Sequence, residues 1–136
     1  TIVCGPPGSG KTFYVQQHHQ WGDLIIDLDA IFLAISGLPM YEKPNTLLPF
    51  ALAARDSLIQ RLQQSSTTGH AWLIVGGAKR SERQRFINSG ARCIILDTVS
   101  EAESLRRISQ DPRRSDRWQA WQPIIRQWWL DYEKDA

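Results

Sequence analysis

Cysteine is scarce: two residues in 136, with no cysteine–histidine spacing of a metal site. A disulfide scaffold and a zinc module are therefore excluded. Cys4 and Cys93 each fall in an apolar run and read as core fillers, which points to a reducing setting. Long hydrophobic runs are also missing. None approaches the roughly 18 residues that span a bilayer, so no membrane partner is expected. No charged leader precedes an apolar segment. The chain opens, without an initiator Met, on what reads as a core strand, and the expected location is the cytoplasm. Internal repeats and low-complexity tracts are absent, which argues against a solenoid.

What remains is the composition of an ordinary globular domain, 42% hydrophobic and 22% charged. The whole chain, 1–136, is expected to form one domain burying about two-thirds of its unfolded surface. The net charge of +2 conceals an asymmetry. Residues 1–78 carry four basic and five acidic side chains, whereas residues 79–117 carry ten basic and six acidic. Such a positive segment suits a triphosphate or a nucleic acid. For Arg83 and Arg85 a solvated helix face is the simpler reading.

The sharpest feature is Gly5-Pro6-Pro7-Gly8-Ser9-Gly10-Lys11-Thr12, a complete G-x-x-x-x-G-K-[ST] phosphate loop. Its glycines let successive backbone N–H groups curl around an anion. Lys11 brings a cation to the β- and γ-phosphates, and the Thr12 hydroxyl suits Mg²⁺. The context fits, because residues 2–4 read as a buried strand and residues 12–20 as a helix whose dipole faces the phosphates. ATP with Mg²⁺ is the expected ligand pair.

Further apolar runs at 24–26, 71–75 and 93–96 read as parallel strands covered on both faces. Helical periodicity appears over 50–64, with Ala51, Ala54, Leu58, Ile59 and Leu62 on one stripe. Ser81 with Gln84 and Ser100 with Glu103 read as capping boxes, and Leu105 and Ile108 as inward-facing. Residues 36–49 lack periodicity and read as a loop long enough to be functional. Residues 111–117 form a basic turn. In residues 118–135, Trp118, Trp121, Ile125, Trp128, Trp129 and Tyr132 recur at helical spacing. Pro123 suggests two helices meeting near Gln122. This aromatic segment reads either as a helix packed on the sheet edge or as a surface for a protein partner or for bases.

This order, from phosphate loop through a strand ending in Asp27-Leu28-Asp29 to an arginine-rich turn, resembles the small P-loop kinases. The resemblance is greatest to the branch that holds polynucleotide kinase and zeta-type toxins, and it extends to about residue 117. It implies a three-layer α/β sandwich of about four parallel strands in order 2-3-1-4, with helices on both faces. It also implies an arginine-rich lid over 111–117. By position, Asp29 would be the base that accepts the acceptor's proton, with Asp27 and Thr12 at Mg²⁺. Lid residues Arg113, Arg114 and Arg117 would offset transition-state charge, and Arg107 would touch the base of ATP.

Asp27 and Asp29 lie two apart and would share a face of an extended segment, though Asp29 also suits a helix cap over 30–35. Strand three ends in Gly76-Gly77, where many P-loop enzymes carry an acidic (Walker B) residue. Asp97 ends strand four but reads as structural. The implied activity is transfer of the γ-phosphoryl of ATP to a hydroxyl of a nucleotide, a nucleic-acid end or another small acceptor. That acceptor would sit between Asp27 and Asp29, the 36–49 loop and residues 76–80, with Lys79 and Arg80 suiting an anion. The alternatives are an ATPase or nucleotide switch serving a nucleic-acid-processing assembly, and a nucleic-acid-binding module with ATP as a structural ligand. The remodelling ATPases with an added helical domain fit less well at this length.

Overall fold

The structure, a computed structural model, describes residues 1–64 and 69–134. Four strands form one wholly parallel sheet: β1 (Ile2–Cys4), β2 (Leu24–Asp27), β3 (Ala71–Val75) and β4 (Cys93–Ile95). Their order is β2-β3-β1-β4, as the resemblance implied. Val3 stands beside Ile74 on one side and Ile94 on the other, so β1 is central and its three residues are buried.

Alternation along the strands builds the layers. Ile2, Cys4, Ile26 and Leu73 face one side, where Ile59 of α3 (Leu48–Gln64) and Phe86 of α4 (Arg80–Asn88) cover them. Val3 and Trp72 face the other, against Val15 of α1 (Lys11–His18). Two further helices, α5 (Glu101–Gln110) and α6 (Trp118–Asp131), pack on each other, and α2 (Leu28–Ser36) packs on α3. The architecture is an α/β P-loop sandwich.

Several sequence expectations need correcting. As an edge strand β2 is half open: Leu24 and Ile25 are exposed, so cover on both faces holds only for the inner strands. Within the α3 stripe Ala51 is buried and Leu58 is exposed. The loop after α2 is shorter than 36–49, because Asn45–Leu47 forms a 3-10 turn leading into α3. Helix α4 is capped at Lys79 without a side-chain bond, so Ser81 lies inside the first turn and its capping box does not form. Ser100 does cap α5, accepting from the Glu103 N–H at 3.1 Å.

Pro123 lies inside a single continuous α6. Both Pro123 and Gln119, whose carbonyl loses its intrahelical donor, are exposed, so that carbonyl need not be satisfied within the protein and the helix carries on. The break lies earlier, in the 3-10 turn Ser115–Arg117.

Arg83 is not on a solvated face. It is 1% exposed, with its guanidinium donating to the carbonyls of Gly77 (2.7 Å), Ala78 (2.9 Å) and Glu133. Its carbon lies 5.8 Å from the Tyr132 ring centre. Arg83 thereby ties the end of β3 to the segment after α6, a link that the Glu133 N–H reinforces at the Ala78 carbonyl, 2.9 Å away. Arg85, on the same helix, is exposed as expected. Removing the Arg83 fork leaves buried carbonyls without a donor. Arg83→Met should therefore lower unfolding free energy by roughly 2–4 kcal/mol, and Arg85→Met by no more than about 0.5 kcal/mol. Urea denaturation of both variants checks this, and equal midpoints would refute the tether.

Candidate functional site

The phosphate loop leaves the C-terminal end of β1 and enters α1 through Gly10, which has φ 95° and no side-chain cap. The first N–H groups of α1 therefore stay open to an anion. Gly8 is also left-handed (φ 77°), and a Cβ there would stand 2.7 Å from the Ser104 carbonyl oxygen of α5. Only glycine fits. Buried Ser9 carries a hydroxyl without a partner among the described residues.

Lys11 folds back over the loop. Its Nζ donates to the carbonyls of Gly5 at 2.6 Å and Pro6 at 3.2 Å. Burial pulls its pKa down to about 8, against the attraction of Asp29 and Asp27. The lysine is thus held where a phosphate would take over from the carbonyls.

A cavity of about 440 Å³ opens beside the loop and is walled by residues from Pro7 to Phe13. Thr12 is exposed to it. Asp27 and Asp29 form part of its wall, but not as two positions of one strand face. Asp27 ends β2 and is itself the cap of α2, its Oδ1 accepting from the Asp29 N–H at 3.1 Å. Asp29 sits in the first turn of that helix, so the cap expected of Asp29 belongs to Asp27. Burial, then the neighbouring Asp29 charge, pushes the Asp27 carboxyl above its ordinary range. Asp29 instead pairs with Lys43, 3.2 Å away.

Arg107, Arg113 and Arg114 also reach the cavity. Arg107 leans on the loop, 3.4 Å from the Gly8 carbonyl, and is shared with Glu103 at 3.1 Å. Bonds from Arg106 and Arg107 hold the Glu103 carboxyl down to about 2. Arg113 and Arg114 both engage Asp111, at 3.1 and 3.0 Å. Arg117 turns away to Glu42, 3.0 Å off, and is not part of the cavity wall. The basic turn is therefore charge-compensated within the chain.

Tyr41 was not singled out by the sequence, although its loop was. It is the one non-glycine residue with positive φ (72°) among the described residues. Its ring meets Trp121 edge-on at 5.7 Å and carries Arg114 at 4.3 Å and Arg113 at 5.3 Å. Lys43 lies 5.7 Å from the Trp121 ring centre. Of the aromatic segment, Trp121 lines the cavity, while Trp128 donates to the Gly76 carbonyl at 2.8 Å and stacks on Tyr132. Most of these rings are thus engaged within the fold. Asp97 is structural, accepting from the Tyr132 hydroxyl at 2.5 Å. Residues 76–80 do not line this cavity, and Arg80 is bound to the Lys134 carbonyl.

No helix among the described residues is long and apolar enough to cross a membrane. The AAA domain family model matches residues 1–126, and the chain belongs to that family. The family is a P-loop NTPase-like group that includes kinases and ATPases, so this is a nucleotide-binding P-loop domain. No curated protein matches the chain.

The depressed Lys11 fixes a pH dependence. Between about 8 and its ordinary 10.5 the unfolded chain holds a proton that the folded one has lost, so this group makes stability rise with pH across that window. Bound triphosphate favours the charged ammonium and reverses the shift. Nucleotide affinity should accordingly fall as pH rises above 8, with uptake of up to about one proton near pH 9. Titration calorimetry with ATP in two buffers of different ionisation enthalpy measures this. Binding without proton uptake at pH 9 would place Lys11 off the phosphates.

Proposed function

We propose that this domain is an ATP-dependent phosphotransferase that moves the γ-phosphoryl to a hydroxyl of a small acceptor. One observation carries the reading: a single cavity is lined by the phosphate loop with Lys11 and by the Asp29 carboxylate. Open amides at the start of α1 and the Lys11 ammonium hold the phosphate chain. Asp29 orients the acceptor hydroxyl and takes its proton as the oxygen–phosphorus bond forms. Arg113 and Arg114 stand on the cavity wall to offset charge on the phosphoryl group in flight. Arg107, against Gly8, suits the nucleotide's outer part. Arg117 would contribute only if the Glu42 pair opened, which is the lid motion that the resemblance implies.

Thr12 and Asp27 share the cavity wall, and with phosphate oxygens they fit Mg²⁺, which is bound through few protein ligands. When bound, Mg²⁺ would neutralise phosphate charge. Asp27 keeps Oδ2 for it, because only Oδ1 serves the helix cap.

Asp29→Asn should leave the ATP dissociation constant within about threefold and lower acceptor phosphorylation by roughly 10²-fold or more. Transfer of label from γ-labelled ATP across hydroxyl acceptors, alongside ATP titration, tests this. Undiminished transfer would remove the base role. Phosphate release with no acceptor dependence would favour an ATPase.

A further inference from the structure

The proposed base is already engaged within the fold. Lys43 Nζ lies 3.2 Å from Asp29 Oδ1, and its side chain, which lines the cavity, is 40% exposed. Lys43 also lies 5.7 Å from the Trp121 ring centre, on α6. It is carried by the segment in which Tyr41 holds a left-handed backbone, a conformation that costs energy in a non-glycine residue and recurs at functional sites. The same segment is fixed to the basic turn through Tyr41 with Arg113 and Arg114 and through Glu42 with Arg117. A cation is therefore anchored from several elements beside the carboxylate that must receive a proton.

We propose that Lys43 restrains Asp29 until an acceptor carrying an anionic group beside its hydroxyl binds, so that Lys43 sets acceptor specificity. The inference rests on the phosphotransferase reading above. A hydroxyl that reaches Asp29 must lie next to the ammonium. A phosphate or carboxylate a few bonds from that hydroxyl draws Lys43 onto itself, aided by the Arg113 and Arg114 guanidiniums of the same cavity wall. Asp29 is then free to accept the proton. The acceptor oxygen bonds to the γ-phosphorus, the bond from that phosphorus to the β–γ bridging oxygen breaks, and its electron pair leaves on ADP. Water and neutral alcohols bring no counter-charge, so Lys43 stays on Asp29 and transfer to them is slow. Lys43 acts through Asp29 and is a positioning residue.

The test uses Lys43→Met, Lys43→Arg and Lys43→Met/Asp29→Asn in the intact chain, with γ-labelled ATP. The acceptors are two pairs: glycerol 3-phosphate with glycerol, and a nucleoside monophosphate with its nucleoside. Wild type should phosphorylate the anionic member of at least one pair about tenfold or more faster than the neutral one. Lys43→Met should cut that ratio to near unity, by raising the rate with the neutral member and KM for the anionic one, and Lys43→Arg should restore it. Without acceptor, Lys43→Met should release phosphate several-fold faster than wild type, and the double variant should lose that gain. Equal transfer to neutral and anionic acceptors by wild type overturns the inference and leaves the phosphotransferase reading standing. Unchanged acceptor-free phosphate release in Lys43→Met also overturns it. No acceptor-dependent transfer to either pair overturns the acceptor class. The phosphotransferase reading itself fails only if, in the wider screen, ATP is hydrolysed with no hydroxyl acceptor phosphorylated.

Discussion

The structure depends on how tightly the segment from Cys4 to Lys11 is packed between the sheet and α5. A Cβ at Gly5 would stand 2.5 Å from the Ser9 Oγ, and one at Gly8 would meet the Ser104 backbone. The Cys4 side chain occupies the space beneath Gly77, where an added Cβ would be 2.5 Å from its Sγ. Burial pushes the Cys4 thiol up to about 12, so it stays a neutral packing group. Because this segment cannot move aside, its carbonyls and the start of α1 keep fixed positions. Lys11 lies back on the Gly5 and Pro6 carbonyls of this segment.

The same packing bars an acidic residue at the second position after β3. Gly77 has φ 61° and presses on Cys4, so an aspartate there would be strained in backbone and blocked in space. At Gly76 a Cβ would only touch the Trp128 ring, 3.9 Å away, so the bar applies to position 77 alone. The carboxylates of the cavity come from β2 and the first turn of α2. Asp27 both lines the cavity and caps the helix through Oδ1.

Much of this was legible in the sequence, because the informative signals were local. The phosphate loop needs glycine at fixed positions, and the strands are short unbroken apolar runs, so the motif and the four strands could be read directly, while the strand order came with the family resemblance. Asp27 and Asp29 were placed at the right end of β2. The misreadings share a cause: tertiary packing overrode local pattern. Arg83 looks like one more surface cation on a polar helix, and nothing nearby reveals that three backbone carbonyls converge on it. Pro123 looks like a break, but an exposed helix face tolerates it. Asp111 compensates Arg113 and Arg114 from two and three residues away, whereas the pairing of Arg117 with Glu42 joins residues far apart in the chain, as does the meeting of Tyr41 with Trp121.

That compensation changes how the basic turn is to be understood. Three free arginines in a row would repel one another and hold the turn open until a triphosphate arrived. Here Asp111 accepts from two of them, and Arg114 lies within cation–π reach of Tyr41 and Trp121. Charge repulsion is thus already relieved before any nucleotide binds, and the turn has less to gain from the phosphates by moving. The energy for a closing motion would have to come from exchanging ion pairs. Arg117 is the best placed for that, since both it and Glu42 are more than 40% exposed, and a screened surface pair is worth only about 0–1 kcal/mol. Arg114, at 13% exposure and held by Asp111 and two rings, is far costlier to displace. A fixed cation, Arg114, and an exchangeable one, Arg117, therefore lie within one short turn, and of these two only Arg114 lines the cavity.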